Sequence, residues 1–398
     1  MTNTATDARQ TTNWKIVFVA TLGGVAIALQ MGKAAATLPL IRADLGADLS
    51  ILATYVALIS TFGALFGIFV GSVTRAIGAK QSALIGLMLA AAGSLIGGTT
   101  TGINILLASR LIEAVGFSVT VTAMPALIQA ATTSKDRLLA MGIWTTWLPA
   151  GVAVTMIFSF FWLERLGWRG IFMLTAILPA MSALLLWATT REAKGPAKLP
   201  ENTPFLGVFR TEVVLTTLVF ICFSSSNLII MAFLPTILVD DLNMMVSSAA
   251  AIAFVGALAL MATNILTGKL LQLGFRRRHL LIVNFVGMAV AAAILLGPSF
   301  SVWARIAAAI AFNLFAGVPA AVVWASIPIL AKNPGEAPLL SGVFFQGASI
   351  GQIIGPMLVA LVVGDEGWSR AIWAVGGLAG GGAILSWLLP GTAPPSRD

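Results

Sequence analysis

Charge and reactive side chains are scarce in this sequence. Only 10% of its 398 residues are charged, and it contains one histidine and one cysteine, whereas about 25% of residues are charged in soluble domains. The single Cys222 excludes an intrachain disulfide. No apolar stretch contains the cluster of His, Asp, Glu or Cys that a membrane enzyme requires. No Gly-x-x-x-x-Gly-Lys-Ser/Thr sequence provides an ATP site. We therefore expect no enzyme, no metal centre and no cofactor.

Long apolar runs are what the sequence has in abundance. Its residues are 58% hydrophobic and its mean hydropathy is +0.97. Twelve charge-free runs divide the chain, and nearly all reach the ~17–25 residues that a helix needs to cross a bilayer. Strands of a membrane β-barrel alternate over about ten residues and do not form such runs. We therefore predict an all-α integral membrane protein with twelve transmembrane helices. The runs are residues 16–32, 49–74, 81–109, 114–134, 138–163, 170–190, 213–239, 242–268, 280–304, 306–331, 337–364 and 371–396.

The basic residues are distributed unequally between the two sides of the membrane. The net charge of +8 would by itself fit a nucleic-acid partner. An even number of spans places both termini on one side, and the loops of that side carry sixteen Lys and Arg residues against four on the other. Basic loops mark the cytoplasmic side. We therefore predict cytoplasmic termini and no nucleic-acid partner. The expected location is a cell membrane, namely a bacterial inner membrane. The four residues on the outer side are Arg42, Arg165, Arg169 and Arg370.

A polar segment rich in proline separates six runs from six. It predicts an N-terminal six-helix bundle at 1–189, a cytoplasmic linker at 190–212 and a C-terminal six-helix bundle at 213–398. The halves also repeat each other in order, at offsets of 195 to 200 residues, which predicts a parallel repeat. The matched pairs are Leu38-Pro39 with Leu234-Pro235, Asp44-Leu45 with Asp241-Leu242, Gly71 with Gly268, Arg110 with Arg305, and Gly167-Trp168 with Gly367-Trp368.

Four ionisable side chains border these charge-free runs at positions that we place inside the membrane, where a charge costs roughly 2.5–3.5 kcal/mol. Two of them belong to a predicted membrane-spanning helix at 104–133. Arg110 and Glu113 are three residues apart and share a helix face. Lys33 lies roughly 9 Å below the outer end of the first span. Arg305 has Ala308 where Arg110 has Glu113, and hence no partner. Three cations and one carboxylate leave an excess of up to +2, which favours an anionic ligand.

Each cation also has a purely structural interpretation. Arg305 and Lys33 are long enough to extend their charged groups to the outer surface. Arg110 can form a self-contained pair with Glu113 that stabilises its own helix and contacts no ligand.

These features resemble the major facilitator superfamily over nearly the whole chain. The signature Gly-x-x-x-Asp-x-x-Gly-x-Lys/Arg of the loop between its second and third helices is matched by Gly71, Gly78 and Lys80. Arg75 stands where that family usually has an aspartate, which puts the usual cytoplasmic latch in doubt. Arg110 matches the arginine of its fourth helix.

Two further runs are similar to cyanate permease and nitroimidazole-type carriers within that family. They are Met141-Gly142-Ile143-Trp144 and Gly351-Gln352-x-x-Gly355-Pro356. The resemblance implies a transporter, expected to be a monomer, whose first, fourth, seventh and tenth helices line a central cavity. It thereby places Lys33 and Arg110 near the substrate path. Further candidates for substrate binding are Arg305, Asn227, Gln346, Trp147 and Trp324, although such aromatic residues are also common in cores and against lipid.

Glycines recur every four residues in the second and eleventh spans. Such small residues let another helix approach closely. The resemblance implies that these two helices face each other and slide during alternating access; the alternative is static packing within each half. The candidate gating residues are Gly63, Gly67, Gly71, Arg75, Gly347, Gly351 and Gly355.

The most specific function that these residues support is proton-coupled uptake of a small organic anion. We hypothesise that the anion binds Lys33 and Arg110, competes for the arginine and leaves Glu113 to take up a proton. The alternatives are exchange of anions, proton-driven efflux of a drug or metabolite, and a receptor or scaffold that moves nothing. The segment 147–151 lacks the glycines around Gly-Pro that mark antiporters of that family, which disfavours efflux.

The charge distribution generates a test of topology. Residues 46–50 and 364–369 should face outward, because they are on the side opposite the basic loops. A cysteine introduced by Glu366→Cys in a Cys222→Ser background should react with an impermeant maleimide added to intact cells. Labelling only after permeabilisation would mean that the orientation is inverted.

Overall fold

The structure is a computed structural model that describes residues 11–133, 136, 140, 143–144, 146–189, 208–332, 336–363 and 367–390. Within these ranges every regular element is a helix and there is no strand. The helices are α1 (Trp14–Leu45), α2 (Leu49–Ile77), α3 (Ala79–Thr99), α4 (Ile103–Ala131), α5 and α6 (the two arms of Trp147–Thr189, divided at Gly167), α7 (Thr211–Leu242), α8 (Val246–Gln272), α9 (Arg277–Leu296), α10 (Val302–Ala325), α11 (Glu336–Val362) and α12 (Ala371–Leu388), with short helices at Ile327–Leu330 and Trp368–Arg370.

Local signals begin and end several of these helices. The side chain of Asn13 accepts a hydrogen bond from the backbone N–H of Ile16 at 3.3 Å, and Asp48 caps α2 in the same way at Ile51, at 2.8 Å. Such caps satisfy a backbone N–H that has no partner within the helix. Gly46 follows α1 with a φ of 62°, a conformation that favours glycine and ends the helix.

The 43-residue helical stretch that contains α5 and α6 turns at Gly167. This glycine has a φ of 64° and a ψ of −179°, which are not helical angles, so the chain changes direction there. Without that turn, 43 residues would form a straight helix about 64 Å long. Thr155 on one arm lies against Gly32 of α1, since a Cβ added to Gly32 would be 2.7 Å from the threonine Cβ. The carbonyl of Thr175 on the other arm accepts a hydrogen bond from Gln30, two residues away on α1. Both arms therefore pack against α1 at nearly the same height.

The exterior of this helical assembly is apolar. Eleven helical segments of the described chain are long and apolar enough to cross a membrane, with mean hydropathies of 1.5 to 2.3. Large hydrophobic side chains such as Leu361, Trp303 and Trp373 are at least three-quarters exposed. Exposing so much apolar surface to water is unfavourable, whereas contact with lipid chains is not. The protein is therefore a multi-pass membrane protein.

Helices α1 to α6 pack mainly on one another, and so do α7 to α12. The two groups meet where α2 contacts α11, where the α5–α6 stretch contacts α8, and where α1 contacts α7. Ser60 of α2 donates a hydrogen bond to the side-chain oxygen of Gln352 of α11. Ser247 of α8 bonds to Glu164 of α5 at 2.5 Å, and Arg42 of α1 bonds to Asp240 of α7 at 2.9 Å. The contact of α2 with α11 is extensive, and polar side chains contribute to all three meeting points.

The glycines of α2 lie at this contact. A Cβ added to Gly63 would be 2.6 Å from the hydroxyl of Ser349, and one added to Gly67 would be 3.4 Å from the Cβ of Gln346. Both neighbours are on α11, as the resemblance implied. The contacts of Gly71 and Arg75 are outside the part of the chain that the structure describes.

The glycines of α11 face the other way. A Cβ added to Gly351 or Gly355 would lie 2.6 Å from the carbonyl oxygen of Ile221 or 2.5 Å from that of Ser225, both on α7. Gly347 also packs on α7. In this conformation these three glycines pack on α7 and not on α2, and the sliding of α11 on α2 stays a prediction. The alternative, static packing within one half, applies to them, because two backbones approach too closely there to admit a side chain.

This difference can be tested by adding a single methyl group. Gly355→Ala should destabilise the protein by about 1–3 kcal/mol, because the new Cβ meets a backbone carbonyl that cannot move alone. Gly67→Ala should be close to neutral, since its Cβ would make ordinary contacts. The midpoint of thermal unfolding in detergent measures both effects. Equal midpoints for the two variants would contradict the assignment.

Candidate functional site

The polar centre of the structure is a network of three buried charged residues. Glu113 on α4 forms an ion pair with the ammonium group of Lys33 on α1 through one carboxylate oxygen. Its other oxygen accepts a hydrogen bond from Arg110 at 2.7 Å. The side chains of all three residues are at most 1% exposed. The pairing of Arg110 with Glu113 was expected from their spacing; the addition of Lys33 to the same carboxylate was not.

Arg110 is held by backbone groups as well as by Glu113. It donates hydrogen bonds to the carbonyl oxygen of Gln30 on α1 at 2.8 Å and to that of Tyr55 on α2 at 3.3 Å. Its guanidinium also lies 4.8 Å from the centre of the Tyr55 ring. A buried guanidinium needs such partners because it cannot lose its charge. Arg110 thereby connects α4 to both α1 and α2.

Lys33 makes the corresponding contacts with α3 and α6. Its ammonium group donates a hydrogen bond to the hydroxyl of Ser94 on α3 at 2.6 Å and lies 4.2 Å from the ring centre of Phe172 on α6. Ser94 in turn bonds to the carbonyl oxygen of Phe172 at 3.0 Å and lies 2.8 Å from the hydroxyl of Thr175. The network therefore contacts five helices of the N-terminal half.

Sequence reasoning missed the neutral members of this network. Ser94 and Thr175 are small polar residues in long apolar runs, which are common and carry no specific signal. Tyr55 is the single tyrosine of the chain, and Gln30 lies one helical turn before Lys33. Those two features were the available signals.

The charge balance of the network differs from the expected one. Two cations and one carboxylate give a net charge of +1 when all three are ionised. The expected value of +2 counted Arg305 as a third cation beside the same carboxylate. Arg305 is separate, because it pairs with Asp241 of α7 at 2.7 Å and donates to the carbonyl of Leu295 at 2.6 Å. The prediction that Arg305 lacks a partner is therefore wrong. Its partner is 64 residues away in sequence, whereas the prediction considered only residue 308, three residues further along the same helix.

A tryptophan binds a carboxylate at the end of the first helix of each group, α1 and α7. Trp168 donates its ring N–H to Asp44 at 3.1 Å, and Trp368 does the same to Asp240 at 3.1 Å. Asp44 also pairs with Arg169 of its own half at 2.8 Å. Asp240 instead pairs with Arg42 of the opposite half. The structure thus matches Asp44 with Asp240, one residue before the aspartate that the repeat predicted.

The remaining candidates lie outside the charged network. The ring of Trp147 stacks on Trp144 with centres 5.4 Å apart, and Trp324 meets Phe220 edge-on at 6.0 Å. Gln346 donates its amide N–H to the carbonyl of Ala64 at 2.8 Å, so it joins α11 to α2 in this conformation.

Asn227 is the candidate with an available polar atom. It is half-buried on α7, and its side-chain oxygen has no hydrogen-bond partner among the described residues. A buried polar atom of this kind needs a partner such as water or a ligand.

The chain is similar to known proteins in sequence and in fold. The sequence model described as Major Facilitator Superfamily matches residues 20–345. Among solved structures, the chain is similar to the crystal structure of a D-xylose-proton symporter, with a TM-score of 0.77 and 16% sequence identity, over 95% of this chain and 98% of that one. At that identity the likeness shows the fold alone. A search of curated protein sequences finds no match.

The network predicts how strongly three substitutions lower the stability of the folded protein. Glu113→Ala leaves two buried cations without their shared anion, and breaking a buried pair in this way costs about 3–5 kcal/mol. Lys33→Met should cost less, because it leaves Arg110 and Glu113 as a neutral pair. Asp240→Asn is the control, since its ion pair with Arg42 is partly exposed and such pairs contribute about 0–1 kcal/mol. Thermal unfolding measures the order, and a larger loss for Lys33→Met than for Glu113→Ala would contradict it.

Proposed function

The chain belongs to the major facilitator superfamily, and from this we propose that it takes up a small organic anion together with a proton by alternating access. Membership makes the protein a membrane transporter and not an enzyme. The observation that carries the finer proposal is the buried network of Lys33, Arg110 and Glu113. Burying charged side chains inside a membrane protein costs free energy, and such residues usually have a function.

We propose that the helices form twelve crossings in two six-helix bundles, 1–189 and 213–398, joined by the linker 190–212. The turn at Gly167 supports two crossings by α5 and α6, because about 64 Å of helix is twice the ~30 Å thickness of a hydrocarbon core. The grouping of α1–α6 and α7–α12 supports the two bundles. The equivalent bonds from Trp168 and Trp368 support the repeat.

Glu113 is the proposed site of proton coupling. When Glu113 is charged, it compensates Lys33 and Arg110 and keeps both side chains inside the N-terminal half. When it takes up a proton, both ion pairs weaken and Arg110 becomes available to another anion. The proton and the substrate anion then stabilise each other's binding, because the anion replaces the charge that Glu113 has lost. Release of both on the other side restores the network.

The class of substrate follows from this charge balance. Protonation of Glu113 would leave two buried cations, and an anion is the ligand that compensates them. In the present conformation both cations are fully enclosed, so the substrate reaches Arg110 only after the network opens. Asn227, with its unpartnered oxygen, and the aromatic residues Trp147 and Trp324 are the proposed neutral contacts along the path. Gln346 becomes available only when α11 separates from α2.

The substrate is first identified by a thermal-shift screen of small organic acids, because a ligand that binds the folded state raises the unfolding temperature. Glu113→Gln is then compared with the parent in proteoliposomes containing that acid. The amide mimics the protonated carboxyl group, so the variant should retain counterflow exchange and lose accumulation driven by a pH difference. Glu164→Gln is the matched control, since this carboxylate lies at the outer end of α5 and its bond to Ser247 can be kept by an amide oxygen.

The outcomes separate the parts of the proposal. Accumulation by Glu113→Gln under a pH difference alone would show that Glu113 is not the coupling site. Exchange without pH-driven accumulation in the parent would show that the protein exchanges anions without protons. A screen in which only cations or neutral compounds stabilise the protein would exclude the organic anion.

A further inference from the structure

We infer that the start of α9 and the end of α12 form a binding site for the headgroup of an anionic phospholipid. This site is separate from the charged network and does not depend on the proposed substrate or proton. Three observations support this inference: a basic cluster, an aromatic contact that positions one arginine, and a cleft beside them.

Three consecutive arginines open α9. Arg276 is the residue that caps the helix and is exposed, and Arg277 and Arg278 occupy its first turn. The cap residue makes no side-chain hydrogen bond to the helix. The backbone N–H groups of the first turn and the positive end of the helix dipole therefore add to the charge of the three side chains. Phosphate groups bind well to such a combination.

Two of these arginines are held in place. The guanidinium carbon of Arg278 lies 5.0 Å from the ring centre of Trp387 in the last turn of α12. Trp387 is 61% exposed on the outside of the assembly, and tryptophan at the end of a span marks the interface between lipid and water. Arg277 donates a hydrogen bond to the hydroxyl of Ser326 at 3.0 Å. Arg277 and Arg278 are thus held in place beside the end of α12.

A cleft beside the arginines has a basic rim and an apolar wall. It is lined by Arg277 and Arg278, by apolar side chains of α9 and α10, and by the end of α12 at Leu389 and Pro390. The lining also contains the hydroxyl groups of Thr216 and Ser326 and the carboxylate of Glu212, which leaves an excess of one positive charge. Charge on one side and hydrocarbon on the other match an amphiphile better than a free ion.

Exposed apolar side chains directly precede the cluster. Leu273 and Phe275, just before the arginines, are 70% and 53% exposed. Apolar side chains next to a basic cluster permit acyl chains to lie beside the protein while the phosphate reaches the arginines. Basic pockets at the end of a helical bundle bind anionic headgroups in this way. The general excess of basic residues on one side explains why arginines occur here, but not why they are fixed against Trp387 and Ser326.

The test uses purified, delipidated full-length protein in detergent and phosphatidylglycerol as the probe. The triple variant Arg276→Gln/Arg277→Gln/Arg278→Gln is compared with Arg191→Gln/Lys194→Gln/Lys198→Gln, which removes the same charge from the linker. Phosphatidylglycerol should raise the unfolding temperature of the parent and of the linker variant, and phosphatidylcholine should not. The α9 variant should lose most of the shift and bind phosphatidylglycerol at least tenfold more weakly in a native mass-spectrometry titration.

Three results would overturn the inference. They are an unchanged phosphatidylglycerol shift in the α9 variant, an equal loss in the linker variant, and an equal shift with inorganic phosphate alone, which would indicate a site for free anions. If the triple variant does not fold, Arg278→Lys together with Trp387→Leu replaces it. This pair keeps the charge and removes the stacked geometry, so it should weaken phosphatidylglycerol binding several-fold. An affinity equal to that of the parent would then exclude a site built on Arg278 and Trp387.

Discussion

The shared carboxylate of Glu113 is the interaction on which the N-terminal half depends. One oxygen binds Lys33 and the other binds Arg110, with all three side chains enclosed. Neither cation can turn to water, so each is held by its remaining partners: backbone carbonyls for Arg110 and Ser94 for Lys33. A single negative charge thereby positions α1, α2, α3, α4 and α6 relative to one another. Loss of that charge would therefore affect five helices at once.

The contacts between the two halves are of a different kind. Arg42 and Asp240 form a partly exposed ion pair, and such pairs contribute about 0–1 kcal/mol. The contact of α2 with α11 depends on the small residues Gly63 and Gly67 and on a few hydrogen bonds. Conformations that differ by a few kcal/mol can interconvert when a ligand binds one of them better. The buried ion pairs thus lie within the helices α1 to α6, whereas the ion pair that joins these helices to the others is partly exposed.

Helix positions were predictable because they depend on local sequence. Long apolar stretches predicted the helices, eleven of which are long and apolar enough to cross a membrane among the described residues. In the structure, Gly46 and Asp48 end and begin helices through their own conformational and capping preferences. The pairing of Arg110 with Glu113 was also local, since three residues separate them on one helix. The candidate site was predicted to that extent: its charged residues were identified, but not the way they combine.

The sequence by itself determined that this is an apolar, helical membrane protein with ionisable residues buried in its spans, because chain length, hydropathy and helix periodicity act over a few residues. Only the tertiary structure decided the partners across long separations. It joined Lys33 to Glu113, 80 residues away, and Arg305 to Asp241, and it turned the glycines of α11 toward α7. A helix has several faces, and the sequence of one helix does not specify which neighbour each face meets. The packing of the whole assembly decides that.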